Sequence, residues 1–378
     1  MKAATTKHIY SLLYGGLLFA CAFPGMNMFY DRWNTPKRLC TLFVAGLIAI
    51  FTAIYLATRK KEKGYGHFEL WSEAVAGVAA LECLYALFAL CRYPATWQLG
   101  ITGTFDNPAG LAFFLCASLP FSFALLSVYK TDKGRKAFYT AVCLLIAATI
   151  PLTHSRTGLI CLAAYILTAI AHYGKPHMRK RWKLAIPVVA LTGASVLFFK
   201  SGSTSGRMFI LGRTWELIRE NPWTGYGTGG FNKEYMNKQA DFFKQHPDSP
   251  AAMLADETGH PLNEFAYLWV EHGIAAPFAL LLLPAGFCYI LRHRKDMPSL
   301  TASCTLIPLL LFSLFSYPFR YPMAWVTVGW CAGIAAENRL RVLLRRKVLK
   351  SLAILGLFSA GIGMETYLVR ELPWEKDW

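Results

Sequence analysis

The chain has 378 residues, of which 55% are hydrophobic and only 16% are charged. A soluble domain would carry about a quarter charged residues, so the composition excludes an ordinary soluble protein and indicates a polytopic membrane protein. The formal net charge is +17. It does not indicate nucleic-acid binding, because the basic residues lie in short connectors between apolar runs, as in cytoplasmic loops of membrane proteins.

The apolar runs are long enough to predict the membrane spans, since a spanning helix needs about 20 mostly apolar residues. We predict about eleven spans, at 9–24, 39–57, 72–90, 109–128, 137–153, 158–173, 184–200, 265–291, 300–317, 322–337 and 351–369. The first run, which follows Lys2 and Lys7, also fits a signal peptide. We interpret it as an uncleaved span, and either interpretation leaves the later topology unchanged.

Every second connector is strongly basic, and this bias predicts the orientation of the chain. The basic connectors include 59–63, 130–136, 175–183 and 339–350. Basic connectors stay in the cytoplasm, so the N-terminus is predicted inside and the C-terminus and the long loop outside. In a Gram-negative bacterium the chain would then lie in the inner membrane and the loop in the periplasm. The chain then divides into N-terminal helices over 1–199, a periplasmic loop with short helices over 200–264, and C-terminal helices over 265–378.

Two short outward-facing segments carry candidate binding residues. In the first, Asp106 and Asn107 precede Pro108, and either of them could cap the following helix or contact a substrate. In the second, Arg156 follows Ser155 in a hairpin at the apolar boundary. An arginine there is costly unless it has an anionic partner. Snorkelling of its side chain to the interface is the structural alternative.

The long loop combines a predicted helix with cationic side chains. Apolar residues recur at helical spacing over 206–220, and Asn221 before Pro222 disfavours further helix, so we predict a short interfacial helix. The arginines of this segment are Arg207, Arg213 and Arg219. Two aromatic residues of the loop, Trp215 and Tyr226, could stack on sugars or anchor the loop in lipid.

A glycine motif in the same loop resembles a dinucleotide fingerprint. Gly225, Gly227 and Gly230 fit the spacing G-x-G-x-x-G. The fingerprint must follow a strand and open a helix, whereas this motif follows a predicted helix. We therefore interpret it as a tight turn that packs closely on its surroundings.

Two further ionisable residues are candidates for function. His260 lies where the loop meets the next apolar run, shortly before Asn263 and Glu264, and histidine is the commonest acid–base residue. Glu82 lies within a predicted span, where it is either functional or a hydrogen-bonded structural residue. The cysteines form no C-x-x-C pair, so the sequence gives no support for a metal site.

Taken in order, these motifs resemble the superfamily of O-antigen ligases, Wzy-type O-antigen polymerases and bacterial protein O-oligosaccharyltransferases. The resemblance rests on the following residues: Thr104-Phe105-Asp106-Asn107-Pro108, Ser155-Arg156-Thr157-Gly158, Gly212-Arg213, Trp215, Asn221-Pro222, Gly225, Gly227, Phe231, His260-Pro261-Leu262-Asn263-Glu264, Glu271 and Gly273. It covers most of the chain, and the long loop is its most specific part.

The resemblance implies a membrane glycosyltransferase of the GT-C type. Such an enzyme moves a glycan from undecaprenyl pyrophosphate to a hydroxyl of lipid A core, a growing glycan or a protein, without metal or other cofactor. The catalytic residues implied are Arg156, Arg207 or Arg213, and His260. The expected substrate-binding residues are Asp106, Asn107, Ser155, Trp215, Tyr226, Asn263 and Glu264. One departure is Leu262, since many members of the superfamily have histidine directly before the asparagine.

Two other functions fit a polytopic protein with outward arginines. A transporter of an anionic solute should show matching halves with broken helices, and the sequence shows no such repeat. A non-catalytic assembly protein of the same fold should tolerate substitution of the candidate arginines and histidine. We expect the partners to be the lipid-linked donor, the acceptor and membrane lipids, without nucleic acid.

Overall fold

The computed structural model describes residues 3–25, 31–58, 67–93, 100–173, 201–253, 255, 257–291, 296–344 and 347–374. The described residues form 13 α-helices, of which six are long and apolar enough to cross a membrane. The helices are α1 (Ala3–Ala22), α2 (Asn34–Thr58), α3 (His67–Arg92), α4 (Pro108–Val128), α5 (Lys133–Leu152), α6 (Arg156–Tyr173), α7 (Ser201–Glu220), α8 (Gly230–Gln245), α9 (Glu264–His272), α10 (Ala275–Leu291), α11 (Met297–Phe315), α12 (Pro322–Leu344) and α13 (Lys347–Trp374). The prediction of an all-helical polytopic membrane protein is confirmed.

The chain divides into two compact units. Unit 1 comprises Met1–Ser155, Arg294–Thr305 and Arg320–Trp378, and unit 2 comprises Arg156–His293 and Leu306–Phe319. In unit 1, α4 is buried over most of its length, α3 packs against α1, α4 and α5, and α13 lies along α2.

Local sequence explains where α4 begins. The side chain of Asn107 accepts a hydrogen bond from the N–H of Gly110 at 2.9 Å and so caps the helix. Pro108 follows at the first helical position, where a missing N–H costs nothing. The capping alternative predicted for this segment is therefore confirmed at Asn107.

Unit 1 also buries two charged side chains, Lys37 and Glu82, both fully shielded from solvent. The Lys37 ammonium donates to the carbonyl oxygen of Thr104 and lies 4.3 Å from the ring centroid of Phe105. Glu82 accepts the backbone N–H of Thr104 at 2.7 Å and its hydroxyl at 3.1 Å. Buried charges require partners of this kind, and these contacts support the structural interpretation of Glu82.

Unit 2 gathers α7, α8 and α9 around a small apolar core. The buried core residues are Leu217, Ile218, Phe231, Tyr235 and Val270. The helix predicted over 206–220 is confirmed as α7, which begins five residues earlier, at Ser201, and ends before Pro222. The loop predicted over 200–264 therefore consists largely of packed helices.

The prediction of one continuous span over 265–291 is wrong, because Gly273 separates α9 from α10. Its backbone has φ 72° and ψ −178°, a conformation essentially restricted to glycine. A Cβ atom there would lie 1.9 Å from the carbonyl oxygen of Trp223. The predicted span 184–200 lies outside the described residues, and the count of eleven spans stays a prediction.

Candidate active site

Two arginines of unit 2 interact electrostatically with each other. Arg156 is the first residue of α6, directly after the hairpin, and Arg207 lies in α7. The Arg207 guanidinium donates from Nη1 to the carbonyl oxygen of Phe315 at 3.0 Å. Burial lowers the pKa of Arg207, and the charge of Arg156 lowers it further. Two partly desolvated cations repel each other unless an anion lies near both, so this pair can bind a phosphate group.

A second polar group in unit 2 consists of His260 and Glu264, whose side chains are 11% and 4% exposed. Nδ1 of His260 accepts the backbone N–H of Leu262 at 3.0 Å. The ring proton of the neutral histidine is therefore on Nε2, which lies 3.4 Å from Oε2 of Glu264. The Leu262 N–H thus determines the tautomer, and the Glu264 carboxylate orients the ring through Nε2.

The backbone next to His260 is strained. Leu262 has φ 58°, in the left-handed region that residues other than glycine rarely adopt. Its N–H donates the hydrogen bond to Nδ1 of His260. Strain of this kind costs about 1–3 kcal/mol and tends to occur at functional sites.

The segment 314–319, at the end of α11 and just beyond it, connects the two polar groups. The Asn263 side chain donates to the carbonyl oxygen of Leu314 at 3.0 Å. The N–H of Phe319 donates to Oε1 of Glu264, also at 3.0 Å. Since Arg207 donates to the carbonyl oxygen of Phe315, one short segment contacts both Arg207 and Glu264 within unit 2.

Tyr317 in this segment is a site residue that the sequence analysis missed. Its ring centroid lies 5.3 Å from that of His260, and its hydroxyl interacts electrostatically with Arg207. The tyrosine is 57 positions after His260 in the chain, so no local motif could associate the two. The only signal was a polar Ser316-Tyr317 pair before Pro318 at the end of an apolar run.

Arg213 has different surroundings from Arg207, although both lie on α7. Its guanidinium forms a 2.9 Å ion pair with Glu216 and lies 4.4 Å from the ring centroid of Phe242 on α8. The ion pair lies within α7, and the ring contact links α7 to α8. Trp215 is 45% exposed and packs edge-on against Trp269.

The glycine motif forms a turn that docks on α9, in agreement with its interpretation from sequence. The N–H groups of Tyr226 and Gly227 each donate, at 2.8 Å, to carbonyl oxygens of α9. The buried Glu271 carboxylate accepts the N–H groups of Gly229 and Phe231, at 2.8 and 3.1 Å, at the start of α8. A helix N-terminus attracts anions, and here a side chain of the protein occupies it.

Two other expected substrate-binding residues have structural partners in unit 2. The Tyr226 hydroxyl donates to Oε2 of Glu220 at 3.2 Å. Asn263 caps α9 by accepting the N–H of Ala266 at 2.9 Å. These contacts position the turn and the helix that carry the site.

The remaining expected substrate-binding residues belong to unit 1. Asp106 accepts a hydrogen bond from the Tyr321 hydroxyl at 2.7 Å, and the Asn107 side chain donates to the same hydroxyl at 2.8 Å. Ser155 is buried, and its N–H donates to the Thr153 hydroxyl at 3.2 Å. Their roles toward a substrate stay predictions.

The described helices are those of a multi-pass membrane protein, and its unit 2 contains both the arginine pair and the histidine–glutamate pair. Residues 141–281 match the family model described as O-antigen ligase (Wzy_C), so this part of the chain is an O-antigen ligase domain. The resemblance drawn from the motifs is thereby confirmed. A search of curated proteins gave no match.

The matched region contains Arg156, Arg207, Arg213 and His260 but not Tyr317. The match indicates ligase or glycosyltransferase activity, with lipid-linked glycans as the general class of substrate. Among the described residues, no group of three or more histidine, cysteine, aspartate or glutamate side chains could hold a metal ion. Metal independence stays a prediction.

Proposed function

We propose that the protein transfers a glycan from undecaprenyl pyrophosphate to an acceptor hydroxyl at the periplasmic face of the inner membrane. The observation that carries this proposal is the electrostatic interaction of Arg156 with Arg207, whose guanidinium the Phe315 carbonyl oxygen holds at 3.0 Å, since a lipid pyrophosphate is a dianionic group suited to two guanidiniums. In a partly desolvated site, fixed cations stabilise the charge that develops on the leaving group.

The histidine–glutamate pair supplies the acceptor side of the reaction. The acceptor oxygen forms a bond to the anomeric carbon while the bond from that carbon to the pyrophosphate oxygen breaks. Nδ1 of His260 takes the hydroxyl proton after the strained Leu262 N–H has moved away. Glu264 then stabilises the imidazolium through its contact with Nε2.

The acceptor is lipid A core, a growing glycan or a protein, and a transfer assay distinguishes them. The purified protein is mixed with undecaprenyl-pyrophosphate glycan and each acceptor in turn. We expect glycan on one of the three, and about a 100-fold slower transfer with Arg156→Ala, as for loss of other groups that stabilise transition-state charge.

A matched control for Arg156→Ala is Arg219→Ala, which removes an exposed guanidinium that lies over the Trp215 ring on α7. The control should transfer at the wild-type rate. Absence of transfer to every acceptor, with the donor still bound, would contradict the proposal and favour a transporter or an assembly protein.

A further inference from the structure

An apolar groove in unit 1 is not used by the proposed reaction. It lies between α1, α3 and α5 and has a volume of about 1090 Å³, slightly above the roughly 300–1,000 Å³ typical of ligand pockets. Its walls are almost entirely apolar, and several large side chains along it are exposed. Examples are Leu12, Leu81, Leu84 and Phe138.

Glycine and alanine residues line the groove and leave space within it. No heavy atom lies within 4 Å of the position that a Cβ would take at Gly15 or Gly77. Ala74, Ala80 and Ala141 line the same groove. The described helices therefore leave a continuous trough that larger side chains would fill.

One end of the groove is cationic. A second cavity there, of about 450 Å³, is lined by Lys7, Glu73 and Arg135 among others. Lys7 is exposed, and the Arg135 side chain is 60% exposed although it contacts Asp132 at 3.4 Å. We call this second cavity the mouth of the groove. Among the described residues that line it, the one carboxylate is Glu73, which accepts a hydrogen bond from the Tyr129 hydroxyl.

The length of the groove matches half a membrane. Its lining runs from Glu73 to Leu84 on α3, and 11 residues of α-helix rise about 16 Å. Half of a hydrocarbon core about 30 Å thick is about 15 Å. Among the described lining residues the cations lie at one end, and a groove of this depth with that distribution of charge fits a lipid of a single leaflet.

We propose that this groove binds an anionic diacyl phospholipid, with its phosphate at Lys7 and Arg135 and its acyl chains along the apolar trough. The mouth lies at the first turn of α5, whereas Ser155 and the hairpin follow the last turn of the same helix. The bound lipid therefore belongs to the leaflet opposite the hairpin. This proposal does not depend on the proposed function.

Native mass spectrometry of the full chain tests the proposal directly. The protein is released from detergent that contains equal amounts of phosphatidylglycerol and phosphatidylcholine. We expect selective retention of phosphatidylglycerol, and a loss of about fivefold with Lys7→Gln or Arg135→Gln, as for one basic residue at an anionic lipid surface. Gly77→Leu fills the trough and should abolish retention of the lipid.

Two matched controls keep the test specific. Gly329→Leu adds the same side chain at a helical glycine with equally open surroundings, and Lys130→Gln removes an exposed charge from the turn before α5. Both should retain phosphatidylglycerol. Equal retention of phosphatidylcholine would overturn the proposal, as would competition by soluble glycerol phosphate or unchanged retention in Arg135→Gln and Gly77→Leu.

Discussion

At the scale of single residues, the two arginines predicted in the long loop have separate surroundings. The sequence placed Arg207 and Arg213 on one helix, but it could not show that the first lies near Arg156 and the second pairs with Glu216. Helical spacing determines which residues share a helix, whereas the neighbours of each depend on tertiary packing. For the same reason Tyr317 could not be predicted as a partner of His260.

The role of His260 can be tested by a substitution that keeps one of its hydrogen bonds. In His260→Gln, the amide N–H₂ can donate to Glu264 as Nε2 does, but it cannot accept a proton from a hydroxyl. If the histidine is the base, we expect both His260→Gln and His260→Ala to slow transfer by about 10²–10⁴-fold.

Single-turnover transfer across a pH series measures this effect, with the unfolding temperature as a control for folding. Near-normal transfer by His260→Gln, together with loss in His260→Ala, would contradict a base and assign the ring a purely positioning role.

At the scale of elements, the lengths of the apolar runs predicted most helices but not the break between α9 and α10. Residues 265–291 are apolar enough to read as one span, because hydropathy does not report backbone conformation. The break depends on the close approach of Gly273 to Trp223, which precedes α8 in the sequence and is 50 positions away from Gly273. It turns α9 into part of the packed core that supports His260 and Glu264.

Two glycines with positive φ allow this contact to be tested. At Gly273 a Cβ would overlap the Trp223 carbonyl at 1.9 Å, whereas at Gly227, with φ 83°, nothing lies within 4 Å. We expect Gly227→Ala to cost about 1–2 kcal/mol, from backbone conformation alone. Gly273→Ala should cost distinctly more, since the backbone must also move.

Thermal or denaturant unfolding of the two variants measures the difference. Equal unfolding free energies for Gly273→Ala and Gly227→Ala would show that the close approach of the two backbones does not stabilise unit 2.

At the scale of the whole molecule, the distribution of charge along the chain predicts which side of the membrane carries the site. The all-helical class followed from composition, because apolar runs of about 20 residues form helices that span the membrane. Composition could not determine the number of spans. Helices α7, α8 and α9 lie between candidate spans but are not themselves long and apolar enough to cross a membrane. Orientation rests on the basic connectors alone.

A pair of reporter fusions tests this orientation. Lys130 lies in a basic connector and Lys244 on α8, and both are exposed. A periplasm-dependent phosphatase should be active when fused after Lys244 and inactive when fused after Lys130. The reverse pattern would contradict a periplasmic site.

The central claim is that Arg156 and Arg207 bind the leaving pyrophosphate, and the most direct measurement compares Arg207→Ala with Arg213→Ala. Single-turnover transfer from undecaprenyl-pyrophosphate glycan is followed for both variants beside their unfolding temperatures. We expect Arg207→Ala to slow transfer by about 100-fold or more, with only a small fall in unfolding temperature from the lost hydrogen bond to Phe315. Arg213→Ala should lower the unfolding temperature and keep transfer within about tenfold of wild type, since it removes a partly exposed ion pair and a ring contact. Loss of transfer in Arg213→Ala with full transfer in Arg207→Ala would contradict the claim.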